Sequence, residues 1–193
     1  MYKALLVLML TLAGASSSLA DRPLRLEAKL VGFNADGAPI DTMAQGHAKV
    51  EIIDDESAIK FSVKVAAIDN LLMAHFHVSS TPVELTDPAG PLAYWFTGGP
   101  PPGNNPPGGP RTGDNLTERV NGVLAEGYII TDGDVLDWDP VGTPDSGTVA
   151  GLIRAMVEGR VSVVVHTDDL DPNTPTGVAG DSRAGELRGT LEE

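Results

Sequence analysis

The stretch "AIKFSVKVAAI", Ala58 to Ile68, alternates apolar and polar residues through its centre. Ile59, Phe61, Val63 and Val65 fall on one side, and Lys60, Ser62 and Lys64 on the other. Side chains of an extended chain point alternately to opposite faces, so this period of two predicts a strand with one face buried and one in water. The reading extends outward. "HAKVEII" (47–53) predicts the preceding strand, and "DDES" (54–57) the turn of a hairpin. "PLRLEAKLVGF" (23–33) sets Leu24, Leu26, Ala28 and Leu30 against Arg25, Glu27 and Lys29. Further strands are expected at "LLMAHFHVS", "PLAYWF", "NGVLAEGYII", "RVSVVVHT" and "GELRGTL".

One segment breaks the pattern. "SGTVAGLIRAMVEGR" (146–160) places Val149, Leu152, Ile153, Met156 and Val157 at helical spacing, with Ser146 or Thr148 to cap its start and Gly159 to end it. A short helix over 148–158 follows. "GGPPPGNNPPGGPRTG" (98–113) can be neither helix nor strand, because its six prolines fix φ and remove backbone donors. It reads as a long exposed loop. Many short strands with Gly/Pro turns and one helix predict an all-β protein: an antiparallel, Greek-key-like β-sandwich.

The first twenty residues stand apart. Lys3, the apolar run "ALLVLMLTLAGA" and the small residues "SSSLA" have the layout of a secretory signal peptide, cleaved after Ala20. The run is short for a membrane span, which needs roughly 20 apolar residues. The expectation is a secreted or periplasmic protein, residues 21–193 forming a single domain with no membrane span after cleavage. Without cysteine, that domain must rely on core packing rather than disulfides. The chain carries 13 Lys and Arg against 27 Asp and Glu, a net charge of −14. Such a field repels a phosphate backbone, which argues against nucleic acid as a partner, and attracts divalent cations.

Two of the chain's four histidines stand one residue apart in "MAHFHVSS" (73–80). On a strand, residues i and i+2 lie on one face with Cα atoms roughly 6.5–7 Å apart. His75 and His77 therefore point together, with Met73 on the same face and Ala74, Phe76 and Val78 on the other. Two imidazoles so placed can converge on one zinc or copper ion. The plainer reading of the pair alone is two hydrogen-bonded, half-buried histidines at a strand end. His166 closes the alternating run "VSVVVHT" and offers a third ligand at a strand terminus. His47 opens its strand and reads as exposed. In "GELRG" (185–189) period two puts Glu186 and Arg188 on one face. Glu186 could accept from an imidazole N–H; the plainer reading is a salt bridge between the two on the strand face. Met73 could add a weak thioether ligand that favours copper. Without an ion, the imidazoles would hydrogen-bond to Glu186 and Thr167 in a buried polar network.

The acidic stretches "TDGDVLDWD" and "HTDDLDPN" lack the EF-hand pattern and read as solvated turns. There is no G-x-S-x-G, P-loop or H-E-x-x-H.

The order "AHFH", a helix, "VVVHT" and then "GELRG" resembles the CHRD (chordin-type) domain family. The opening "LEAKLVGFNADGAPIDTMAQGHAKVEI" and the strand "GYIITDGDV" resemble it too. Val164 and Thr190 stand where the family pattern has Asn and Gln. The resemblance implies an all-β extracytoplasmic domain and brings no established catalytic activity. Copper/zinc superoxide dismutases are similar only in using an H-x-H strand of a β-sandwich, and their other ligands are missing here. The leading functional expectation is a non-catalytic binding or structural module at the cell envelope, with an envelope or extracellular protein as a further partner. The alternatives are a histidine-based copper or zinc binding protein and a metal-dependent redox enzyme. With catalytic motifs missing, the sequence leans away from an enzyme.

Overall fold

The computed structural model describes residues 23–53, 57–97, 119–129, 131–139, 145–169, 171, 173 and 177–193. The expected signal peptide, the 98–113 loop and most of the 54–57 turn lie outside these residues. Eight strands are described: β1 (Leu24–Leu30), β2 (Gln45–Ile53), β3 (Ala58–Ile68), β4 (Leu71–Val78), β5 (Leu92–Thr97), β6 (Val120–Ile129), β7 (Val161–Thr167) and β8 (Leu187–Thr190). One α-helix, α1 (Val149–Val157), lies between β6 and β7.

The strands form two antiparallel sheets, in the orders β1-β2-β3-β6 and β5-β4-β7-β8. The chain changes sheet after β3 and returns with β6, which lies beside β3, a Greek-key-like connection. The expected all-β sandwich with one short helix is therefore the observed architecture. Ala28 pairs with Ala48, Ala48 with Val63, and Val63 with Ala125, so one row of apolar side chains crosses the first sheet on its core side. From the second sheet, Ala74, Phe76 and Val78 of β4 and Val161, Val163 and Val165 of β7 point into the same core. Phe61 bridges the layers, its ring 5.5 Å from Tyr94 and 5.1 Å from Phe96. Burial of this kind is the main favourable term in the fold, at roughly 25 cal/mol per Å² of apolar surface.

The helix forms where its spacing predicts. Thr148 caps it by accepting from the Gly151 amide at 2.9 Å. Asp132 reaches across to accept from the Val149 amide at 2.8 Å. Val149, Leu152, Ile153 and Met156 are buried, while Val157 is exposed and Gly151 and Ala155 face inward instead. In the stretch around Asp132 the aspartates Asp132 and Asp137 are exposed, as a solvated turn requires, while Val135 and Trp138 are buried and Asp132 and Asp134 supply a cap and a turn contact.

These layers give the second sheet an outer face carrying Met73, His75 and His77 on β4 and Ser162, Val164 and His166 on β7. Backbone from the 79–91 and 182–185 segments covers part of that face.

Candidate metal centre

His75 and His77 emerge from β4 on the face turned away from the core, as period two requires. β7 runs antiparallel beside β4 in a register that sets Met73 opposite His166, His75 opposite Val164 and His77 opposite Ser162. This register brings the third histidine to the pair. Ring centroids lie 4.5 Å apart for His75 and His77, 4.4 Å for His75 and His166, and 6.2 Å for His77 and His166. One nitrogen from each ring lies within 4.8 Å of the others. Three nitrogens bound to a trigonal ion at 2.0–2.1 Å would be about 3.5 Å apart, so small side-chain rotations close the remaining distance.

The hydrogen bonds determine which nitrogens face the cluster. The His77 Nδ1–H donates to the Gly90 carbonyl at 2.6 Å, and the His166 Nδ1–H donates to the Arg183 carbonyl at 2.7 Å. A carbonyl can only accept, so each Nδ1 carries the proton and each Nε2 a bare lone pair in the neutral ring. Those two Nε2 atoms, together with His75 Nδ1, are buried and have no hydrogen-bond partner. Backbone carbonyls holding the remote N–H of metal-binding imidazoles are a usual supporting arrangement.

Electrostatics favour the neutral rings. Burial holds His75 well below the ordinary imidazole range, and the other two rings add to the effect. Burial also pulls His166 down to about 4 against the bond from Arg183. His77 is lowered by burial and, to a lesser degree, by the nearby Arg188 charge, with the Gly90 bond opposing. No proton need be expelled for these rings to act as ligands near neutral pH.

Several neighbours carry no sequence motif. Trp95 on β5 stands opposite His75 and packs edge-on against it at 4.9 Å. Gly90 adopts φ +86°, and a Cβ there would lie 2.2 Å from the Val78 carbonyl oxygen. Only glycine therefore lets this turn come close enough to aim its carbonyl at His77. The "AGP" around Gly90 signals a turn in the sequence but not its target.

The other expected residues divide. Glu186 accepts from the Thr42 hydroxyl at 2.6 Å, the Thr167 hydroxyl at 2.9 Å and the Gly180 amide at 2.6 Å. None of its hydrogen bonds is to an imidazole, so the expected Glu186–imidazole contact is not formed, nor is a Thr167–imidazole bond. Thr167 shares the core-facing parity of Val165, opposite to His166. Glu186 and Arg188 make no salt bridge either. Arg188 instead crosses the outer face and donates to Ser162 Oγ and to the carbonyls of Glu84, Leu85 and Asp87. His47 lies on the other sheet, 3.1 Å from Glu27 Oε2. Met73 is half-buried opposite His166.

The second acidic stretch is less solvated than expected. Asp168 and Asp181 are buried, and Asp168 pairs with Arg183 at 2.7 Å. Asp168, Asp169 and Asp181 offer oxygens within 4.8 Å of one another.

The sequence pattern of the CHRD domain matches residues 26–173. The matched span contains all three clustered histidines and ends before Glu186 and Arg188. No curated protein matches the chain. The chain belongs to the CHRD domain family.

Proposed function

We propose that this CHRD-family protein is an exported, non-catalytic binding module whose ligand is a single copper or zinc ion, held by His75 Nδ1, His77 Nε2 and His166 Nε2. One observation carries the reading: three buried imidazole nitrogens without hydrogen-bond partners gather on one patch of a sheet. An unpaired buried polar atom costs roughly 1–3 kcal/mol. A metal ion satisfies all three lone pairs at once. A purely structural histidine network would instead pair these nitrogens with donors.

The non-catalytic part of the proposal follows from the surroundings of the rings. Glu186 is engaged elsewhere, and the Arg188 N–H groups are directed to Ser162 and backbone carbonyls. Neither is placed to move a proton at a bound substrate. Export rests on the leader reading of residues 1–20, with residues 21–193 forming one mature domain. No described helix is long and apolar enough to cross a membrane.

Elemental analysis of untagged protein recovered from the extracytoplasmic fraction tests the proposal. The expected result is one equivalent of copper or zinc on a chain beginning at Asp21, with metal lost in His77→Ala. Metal-free protein that fails to take up either ion on titration would refute the metal reading, and turnover of superoxide by the loaded form would refute the non-catalytic one.

A further inference from the structure

We infer that the three-histidine site selects monovalent copper over divalent ions, and that the buried guanidinium of Arg188 contributes to this selectivity. The inference rests on the metal reading above and names the ion.

The charge around the site is the first ground. Three neutral imidazoles bring no negative charge, and the Glu186 carboxylate is turned to Thr42, Thr167 and Gly180. Arg188 is fully buried. Its Nε and Nη2 donate to Ser162 Oγ, both at 3.3 Å. Its Nη1 donates to the Leu85 carbonyl at 3.2 Å and to that of Asp87, and Nη2 also donates to the Glu84 carbonyl at 3.2 Å. These acceptors are all neutral, and no carboxylate of the described residues lies within salt-bridge distance. The Asp87 carboxylate supports the charge from farther off.

The register places that charge beside the ligands. Ser162, which receives two of the guanidinium bonds, stands directly opposite His77. Arg188 itself pairs with Val164, and Val164 with His75. Strand β8 lies two strand spacings from β4, roughly 10 Å, and a unit charge at that separation and an effective dielectric near 20 penalises each added positive charge on the metal by on the order of tenfold in affinity. Burial adds a second penalty, because the cost of desolvating an ion grows with the square of its charge.

Ligand chemistry agrees. Zinc prefers four-coordinate sites, and a three-histidine site must recruit water or an anion for the fourth position. Monovalent copper is the softer ion and suits imidazole and thioether donors. Met73, opposite His166 on the same face, is the one thioether that the register sets next to the cluster.

The test uses untagged apo-protein, titrated anaerobically with Cu(I) and separately with Zn(II) and Cu(II), each against a competing chelator. The expected result is tighter binding of Cu(I) than of either divalent ion, and displacement of preloaded Zn(II) by one equivalent of Cu(I). In Arg188→Met the Cu(I)-to-Zn(II) affinity ratio should fall about tenfold, and Arg188→Lys should largely retain it. Zn(II) or Cu(II) binding as tightly as Cu(I) in the unmodified protein overturns the inference and leaves the metal site standing. An unchanged ratio in folded Arg188→Met removes Arg188 from it. If Arg188→Met does not fold, the zinc-displacement result and Arg188→Lys still decide. Failure of all three ions to bind refutes the site itself.

Discussion

His75 and His166 lie ring against ring, 4.4 Å between centroids, on antiparallel neighbours β4 and β7. They are not directly paired: His166 stands opposite Met73, and His75 opposite Val164. The two rings meet diagonally across the ladder, within reach for long side chains on adjacent strands. The diagonal leaves His77 as the third corner of a cluster in which each ring has one buried nitrogen without a hydrogen-bond partner.

The first prediction concerns the turn that orients His77. Gly90→Ala would place a Cβ 2.2 Å from the Val78 carbonyl oxygen at a φ of +86°. The turn must shift, and the Gly90 carbonyl that holds His77 Nδ1 moves with it. We expect a loss of about 1–3 kcal/mol in stability from backbone strain and at least a tenfold loss of metal affinity. Denaturant unfolding and chelator competition measure the two effects; unchanged affinity would show that the Gly90 contact does not orient the ring.

A second prediction follows from the acidity of the rings. His166 titrates near 4 in the folded protein against an ordinary value of 6.5, and His75 and His77 are lowered as well. Between those values the unfolded chain binds more protons than the folded one, so stability rises with pH. The contribution is complete above about 6.5 and is lost as pH falls toward 4. The melting temperature of the apo-protein should therefore drop between pH 7 and pH 5, with a shallower slope in His166→Gln. Identical slopes in the two proteins would contradict the assignment of a neutral, buried His166.

A third prediction separates Glu186 from the metal. Its carboxylate receives two hydroxyls and the Gly180 amide, at the end of the sandwich where Thr42 and Thr167 meet. Glu186→Gln brings an NH2 group among those donors. We expect a destabilisation of about 1–3 kcal/mol from the lost or opposed bonds, with copper or zinc affinity unchanged within about twofold. A large fall in affinity would mean that Glu186 acts on the imidazoles.

The legible part of this molecule was its periodicity. The alternation at Ile59 to Val65 reports a strand buried on one face, and the 149–156 spacing reports the helix, because both signals are local. The common face of His75 and His77 follows from the same rule. His166 was recognisable as a strand-end histidine, but its place beside them depends on the β4–β7 register, which is a property of two distant segments. The partners of Glu186 are not legible in the sequence for a physical reason. Strand β8 begins at Leu187, so period two does not extend back to Glu186, and Gly185 with φ +108° redirects the chain just before it. Thr167 lies across the strand from its neighbour His166 and so serves the core side. Least visible were the supports of the rings. Gly90 and Arg183 act through backbone carbonyls, which every residue carries, so no side-chain pattern marks them. The buried guanidinium of Arg188 likewise satisfies itself on the carbonyls of the 84–87 turn, contacts that residue identity does not encode.

The central claim is that three imidazole nitrogens share one ion. X-ray absorption of untagged protein loaded with one equivalent of copper, or of zinc, reads the ligand shell directly. The account predicts three nitrogen scatterers at about 2.0–2.1 Å with the outer-shell signature of imidazole, reduced by one ring in His77→Ala. A shell of oxygens alone, or a spectrum that His77→Ala leaves unchanged, would contradict it.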